Sequence, residues 1–521
     1  MKLYSVERGY EGTTFSLSEI LSSDNLAEEI GEDQLGDIGR MVVEDHRLDT
    51  ESRSEWLDRN ADAIDLAMQM RKNKTWPWPN ASNVKFPLLT IGAIQFHSRV
   101  YPNVVSESPV RCKVFGKDEG GQKAARASRV SQHMSYQLLE EDEEWEENFD
   151  ALLLSLPITG CEFTKLYYDP VKGYPCSRWV SCRDLVVPYY AESLRDAPRV
   201  THEMQRSPRR IEERVRTGLW RDVDLGPALQ QPPDEGGKRG RSDERTGMNA
   251  PSNDPDATRM ILEQHRYLDL DGDGYTEPYI VTVDRDTVEV LRIQARFAAS
   301  GVKTDGDELL RGALQEAEQR MQELARAGHI ETMRAEADKI AAVMTSARDG
   351  AKVLSIQPVD HFTRYQFLPS IDGGIYGRGF GALTGPLNES VNTIINQLVD
   401  AGTLANMQGG FKARGAKLGK AGSLYFRPGE WKEVNCTGDD LRKNLVPMKA
   451  NAPSPVLFNL LGLLIDYTER VTSITDLMVG QTPGQNTPAT TSMSALEQGM
   501  SVFTGIFKRV LRSLKQDFRK L

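Results

Sequence analysis

With 521 residues, 39% hydrophobic and 27% charged, the chain has the make-up of a soluble globular protein and room for about two to four domains. Its formal charge of −11 argues against an ordinary DNA reader, which carries a basic footprint, but leaves open DNA that passes without being held. No apolar run approaches the roughly 18 residues that span a bilayer, so no membrane partner is expected.

The N-terminus, MKLYSVERGYEGTTF, lacks an apolar core and is not a secretory signal, which points to an intracellular origin. Residues 1–70 read as polar helices with sparse apolar points, Ile38, Met41, Val42, Trp56, Ile64 and Met68. The prolines of WPWPNASN break that pattern. An apolar helix is expected from about Phe86 to Val100, stopping at Tyr101-Pro102, and another from about Gly121 to Ser155. The alternation in Phe163–Tyr168, followed by a turn at Asp169-Pro170 and Gly173, predicts a hairpin. Leu225–Asp256, rich in Pro, Gly and charge, reads as a surface loop. Strands follow at Ile261–Leu268, Tyr279–Val283 and Val288–Ile293, with DLDGDG as a turn. Residues 306–347 predict a helical hairpin broken near Gly328, and VLSIQPV and TRYQFLP read as strands.

Gly379–Phe411 then runs without a single Lys or Arg, in a chain that holds 64 of them. A helix is predicted to start at Pro386, a residue suited to the first helical turn. Leu387, Val391, Ile394, Ile395 and Leu398 form an apolar stripe, and Asn388, Asn392 and Asn396, continued by Asp400, form a polar one. A polar face without cations suits a surface that stays wet beside a polyanion and does not grip it. A second helix, about Pro455–Val479, is apolar and net acidic, and the loop Gly480–Ser494 has no charge. Two packed core helices of an ordinary domain would show the same periodicity, so both readings stand at this point. A basic amphipathic helix ends the chain: Phe503, Ile506, Phe507, Val510, Leu514, Phe518 and Leu521 on one face, Lys and Arg on the other.

The segments that carry known chemistry are few. GAKLGKA, Gly415–Ala421, is one residue short of a phosphate loop and lacks its Ser or Thr, so no nucleotide-hydrolysing site, no cofactor and no enzymatic activity are expected. Asp269, Asp271, Asp273 and Glu277 match positions 1, 3, 5 and 9 of a calcium loop, but position 12 is Ile280 and the flanks are strands rather than helices. Tight turn geometry is the first reading, with a structural divalent cation as the alternative. The acidic run Glu140–Glu147 reads as a solvated helix face, or as an inter-subunit contact for the basic stretch Arg206–Arg216. Lys412, Arg414, Lys417, Lys420 and Arg427 crowd the loop after the cation-free segment and are candidates for docking a partner.

GGIYGRGFGALTGPLNESVNTIINQLVDAGTLANMQGGF resembles a segment of the portal, or head-to-tail connector, proteins of tailed bacteriophages. So do WPWPNASNVKFPLLTIGAIQF, LPITGCEFTKLYYDP with RDLVVPYYA, DLDGDGYTEPYIVT and TDLMVGQTPGQNTPATTSMSALEQG, in the family's order from about Trp76 onward. The resemblance implies an α+β portal fold with a helical and β-hairpin wing, a two-helix stem and a small α/β clip. It implies assembly as a closed ring of about twelve subunits around a DNA channel. On this chain it implies an N-terminal helical arm at 1–70 and a wing at 71–380 with an insertion at about 306–347. Stem helices would lie at 381–404 and 451–479 around a clip at 405–450. A tunnel loop would follow at 480–494, and a helix at 495–521 would return to the wing and lead toward a crown, so further sequence is expected past Leu521. Asn388, Asn392, Asn396, Asp400, Gln485, Asn486, Thr487, Thr490 and Thr491 would then line the channel, and lysine at Asn392 or Asn396 would slow DNA while sparing assembly. The implied partners are other copies of the chain, double-stranded DNA, a terminase large subunit, tail adaptors, and capsid and scaffolding proteins. The implied setting is the virion, after assembly in host cytoplasm. A metal-dependent nucleic-acid enzyme using the aspartate turn, and a capsid component without a channel, are the rivals.

Overall fold

Ser16 caps the first short helix, α1 (Leu17–Ser22), in a capping box with Glu19. In the computed structural model the described residues are 15–226, 256–304, 353–406, 410–412, 445–447, 454–472 and 489–521. Of these, 72, 73, 76, 77, 80, 119 and 273 are excepted, 241, 245 and 247 are added, and 18, 410–412, 445–447, 469–472 and 489–503 are described by backbone alone. The chain is mixed α+β. The expected hairpin at 306–347 lies outside the described residues.

The N-terminal helices are α2 (Glu32–Ser52) and α3 (Ser54–Ala67). The apolar helix α4 spans Leu88–Val104 and carries Pro102 inside it, past the expected stop. The single long helix expected over 121–155 is two, α5 (Gln122–Tyr136) and α6 (Trp145–Thr159), joined by one π turn at Gln137–Glu141. The break has a cause. Asp142, 2% exposed, turns in to accept from Arg178 (2.7 Å) and from the Ser177 amide (3.1 Å). The basic helix α7 (Pro208–Arg216) completes the N-terminal set.

Two compact units divide the chain: Met1–Ala61, His97–Gly379 and Gly505–Leu521 in the first, Asp62–Phe96 and Phe380–Thr504 in the second. In the first, β1 (Cys161–Asp169) and β2 (Tyr174–Val180) form the expected hairpin. A five-stranded antiparallel sheet runs in the order β3-β4-β5-β6-β7 (Leu185–Val186, Arg199–Arg206, Arg259–Leu268, Glu277–Asp284, Val290–Ala295). The pair β8 (Phe297–Thr304) and β9 (Val353–Pro358) follows, and β10 (Phe362–Gln366) joins β1. Leu35, Ile38 and Val42, at helical spacing on α2, bury against Leu262, Val281, Val283 and Ile293. Each such side chain contributes about 1.5–3 kcal/mol. α6 covers the β10-β1-β2 sheet with Phe149, Leu152, Leu153 and Leu156, all buried.

The last helix, α10, spans Ala489–Lys520. Its C-terminal part is fixed by Asp517, buried at 3% exposure, which accepts from Thr164 (2.8 Å) and Tyr365 (2.5 Å). Lys520 donates to the Phe362 carbonyl (2.6 Å), so part of the helix's basic face is structural.

The Gly-rich segment has a steric reason. Gly160 ends α6 at φ 89°, and a Cβ there would lie 2.2 Å from the Gly379 nitrogen. A Cβ on Gly377 would lie 2.3 Å from the Gly160 carbonyl oxygen. Only glycine lets these two backbones pass.

The second unit is built on α8 (Phe380–Asn406), against which α9 (Pro455–Thr472) packs. The strands β11 (Gly410–Lys412) and β12 (Leu445–Pro447) pair antiparallel between them. Pro386 is not at the helix start: α8 begins six residues earlier. Proline frees the carbonyl four residues back, here that of Ala382, and both residues lie on the exposed side where water can serve it.

Candidate functional site at the α8–α9 helix pair

The asparagine row on α8 faces inward. Asn388, Asn392 and Asn396 are 0%, 5% and 5% exposed. Their side-chain oxygens accept from the backbone N–H groups of Leu89 (3.3 Å), Phe86 (2.6 Å) and Val84 (2.6 Å). Asn396 also accepts from the Ser82 hydroxyl (2.8 Å) and donates to the Val84 carbonyl (3.1 Å), and Asp400 accepts from the Ser82 amide (2.8 Å). Ser82, Val84 and Phe86 are two residues apart in an extended segment, an advance of about 6.6 Å per pair. Four residues of helix advance about 6 Å. The i, i+4 spacing on α8 therefore matches the i, i+2 spacing of a strand-like chain running antiparallel to it. The amides act as the missing sheet neighbour, satisfying buried backbone donors that would otherwise be costly.

This corrects the expectation that Asn388, Asn392 and Asn396 line an open surface. Asp400 is half-buried and engaged in the same ladder. The signal was present in the sequence: NASNVKFP, extended and flanked by prolines, has amides that need acceptors from elsewhere.

What α8 does expose is a different arc, with Pro386, Glu389, Ser390, Thr393 and Gln397. Ser390 donates to the Pro386 carbonyl and Thr393 to the Glu389 carbonyl, both at 2.9 Å. These hydroxyls are satisfied within the helix. Glu389 is the one charge on the arc, and on α9 the exposed charge among described side chains is Asp466. Among the described side chains the exposed surface of the pair is thus free of cations, although the residues that make it so are not the asparagines; Arg470 of α9 lies outside them. Such a surface repels phosphate weakly and offers no cation for counterion-releasing contacts.

Lys412 lies on β11, while Arg414, Lys417, Lys420 and Arg427 lie outside the described residues, as do Gln485, Asn486 and Thr487. Thr490 and Thr491 fall on the first turn of α10, not in a loop. Part of the acidic run, Asp142, Glu144 and Glu146, is engaged within its own chain. Glu144 bonds Arg178 (2.9 Å) and Lys172 (3.1 Å), and Lys172, Arg178 and Arg210 of the basic helix hold its carboxyl below the usual range.

At the turn between β5 and β6, carboxylate oxygens of Asp269, Asp271 and Glu277 lie within 4.8 Å of one another, and Asp273 lies outside the described residues. Asp269 accepts from the amides of Gly272 (2.8 Å) and Gly274 (3.2 Å), both at positive φ. Glu277 is fully buried and accepts from Tyr279 (3.3 Å), whose hydroxyl is pushed far up by burial and by the three acids. The turn geometry explains Asp269 outright. The three carboxylates together are the residues that could hold a divalent cation.

No family model matches the sequence, and comparison with curated proteins finds no relative.

Proposed function

We propose that this chain is the subunit of a ring-shaped portal that conducts double-stranded DNA through one vertex of a tailed-phage capsid. The observation that carries the reading is the wet, cation-free arc of α8, Pro386, Glu389, Ser390, Thr393 and Gln397, beside an α9 whose exposed described charge is Asp466. A channel wall that gripped phosphates would stall the duplex, because each cation at a phosphate adds to binding. The order helix, short strand pair, helix supports it too, since it matches the stem and clip that the sequence resemblance implies. In this reading the strand pair and the basic residues near it dock a terminase motor during packaging and tail adaptors afterwards. The chain contacts capsid and scaffolding proteins, is not itself an enzyme, and ends in the virion. Native mass measurement and particle averaging of the full chain test the proposal. Rings of about a dozen copies are expected, and a chain that stays monomeric or dimeric at every concentration sinks it.

The second reading, a metal-dependent nucleic-acid enzyme, rests on the Asp269, Asp271 and Glu277 cluster. Magnesium-dependent nuclease activity that disappears in Asp271→Ala would favour it over the channel.

A further inference from the structure

Between Arg111 and Leu139 the chain departs from its overall sign. Six cations, Arg111, Lys113, Lys117, Lys123, Arg126 and Arg129, stand there against two acids, Asp118 and Glu119, in a chain whose formal charge is −11. All six are exposed, and none is in an ion pair among the described residues. Elsewhere in the same unit Arg178 and Arg199 each engage two carboxylates. The six stand on a thin arm. Residues 107–117 run along α5 in the opposite direction: the Ser131 hydroxyl donates to the Val110 carbonyl toward one end, and Lys123 Nζ to the Lys117 carbonyl (3.1 Å) at the other. Asp118 accepts from the amides of Lys123 (3.2 Å) and Ala124 (2.9 Å), so it serves the open start of α5 and not a cation.

Little in the fold rewards this arrangement. Of the residues of α5, all described, only Ser135 is buried. A helix exposed nearly all round relies on ion pairs along its own surface or on a contact elsewhere, and α5 contains no acid with which to pair. Lys123, Arg126 and Arg129 follow one another three residues apart, within about 120° of arc, and repel. A counter-anion turns that repulsion into binding. The long stretches that fall mostly outside the described residues do not supply one, being of mixed sign: 227–255 holds five acids and four cations, 305–352 ten and seven, 413–444 four and seven. The acidic run Glu140–Glu147 is in part engaged with Lys172, Arg178 and Tyr101.

We propose that this arm, Arg111–Tyr136, binds the phosphate backbone of double-stranded DNA without reading its sequence. Exposed Lys and Arg gain little from single carboxylates on a protein surface. Along a duplex, which carries one phosphate per ~1.7 Å of axis, each cation releases a condensed counterion. Single strands are held by rings on which successive bases stack. The arm exposes two, Phe115 (78%) and Tyr136 (56%), and they lie at its opposite ends. The arm belongs to a different compact unit from α8 and α9, and the inference does not depend on the ring reading. It gives a chain whose helix pair avoids phosphates one place that holds them.

The test follows the fluorescence anisotropy of a mixed-sequence duplex with the full-length chain over about 50–200 mM salt. The parent should bind, more weakly as salt rises. Lys123→Gln, Arg126→Gln and Arg129→Gln together should weaken binding at least about tenfold and flatten the slope of log K against log salt by about 2.7, about 0.9 for each lost contact. Arg512→Gln, Lys515→Gln and Arg519→Gln on α10, equally exposed, remove the same charge and should change neither. If the α5 variant loses helical circular dichroism, Arg111→Gln, Lys113→Gln and Lys117→Gln on the extended side replace it with the same expectation. Native mass spectrometry should show the arm variant assembling as the parent does. No binding by the parent at low salt, an equal loss in the α10 variant, tighter binding of the single strand, or equally tight binding of a poly-glutamate peptide overturns the proposal. Loss of assembly together with binding also overturns it, in favour of a contact between copies. A chain that forms no ring yet binds duplex through the arm removes the portal reading and supports this one; rings that bind no duplex at the arm do the reverse.

Discussion

The first compact unit buries charged side chains among its polar groups, whereas the buried polar groups described in the second are neutral amides and hydroxyls. Lys165 reaches Glu263 at 2.6 Å, and His265 lies 3.1 Å from the same carboxylate. Burial pushes His202 and His265 down to about 3, with Lys165 adding to the effect on His202 and Arg296 to that on His265. Burial would raise Glu263, but Lys165 and His265 overcome it and hold the carboxyl well below its usual value. Across the second unit, the ladder from Asn388 to Asn396 holds Val84, Phe86 and Leu89 with groups that do not titrate. The ladder satisfies buried backbone amides although the Nδ2 groups of Asn388 and Asn392 have no hydrogen-bond partner, and of the two arrangements only the first makes stability depend on pH.

Acid is therefore the strongest way to separate them. The unfolded chain protonates its histidines near pH 6.5, whereas folded His202 and His265 resist to about 3. Stability from these two groups is complete above pH 6.5 and is lost as pH falls toward 3, and the depressed Glu263 acts in the same direction below 4.5. The loss by pH 4 should be about 3 kcal/mol per histidine. Amide exchange, corrected for intrinsic rate, should show β4, β5 and β6 losing protection at pH 4 while Val84 and Phe86 keep theirs. Equal loss in both units would remove the distinction.

A backbone contact gives the next largest effect. Gly160→Ala places a Cβ 2.2 Å from the Gly379 nitrogen at φ 89°, so it should cost about 4 kcal/mol. A melting temperature within a degree or two of the parent would contradict the close approach. Asn396→Ala removes the acceptor of the Val84 amide and the Ser82 hydroxyl, and should cost about 2–3 kcal/mol with no new pH dependence. Denaturant unfolding at pH 5 and 7 reads both halves of that statement.

Much of this was legible in the chain before folding. The hairpin at Phe163–Tyr168, the strands around DLDGDG and the long helix after Gly379 follow from alternation and spacing alone. The role of the asparagines did not, because the groups they serve are about 300 residues away and periodicity within one helix cannot name its partner. The break at Asp142 was hidden for the same reason, since its cause is Arg178 on a strand formed later in the chain. Pro386 misled because proline marks a helix start only on average, and here the helix begins six residues before it. The exposed arc of α8 stayed cation-free through all these corrections because no residue from Gly379 to Phe411 is Lys or Arg. That property belongs to every face at once.

The smallest effect on stability separates the two faces of α8 in function. Gln397→Lys and Thr393→Lys lie on the exposed arc and should change stability by less than about 0.5 kcal/mol. Asn392→Lys, by contrast, would place a charge where a 5% exposed amide now holds the Phe86 amide, and should fail to give a folded chain. If the arc faces passing DNA, the two exposed lysine variants should assemble at the parent's yield and package more slowly, with the defect relieved by salt because added cations act through counterion release. If they package at the parent's rate at low and high salt, the arc does not meet DNA, and the absence of cations from Gly379–Phe411 reflects helix packing alone. The asparagine row cannot decide the question, because any change there first removes the acceptors on which Val84 and Phe86 depend.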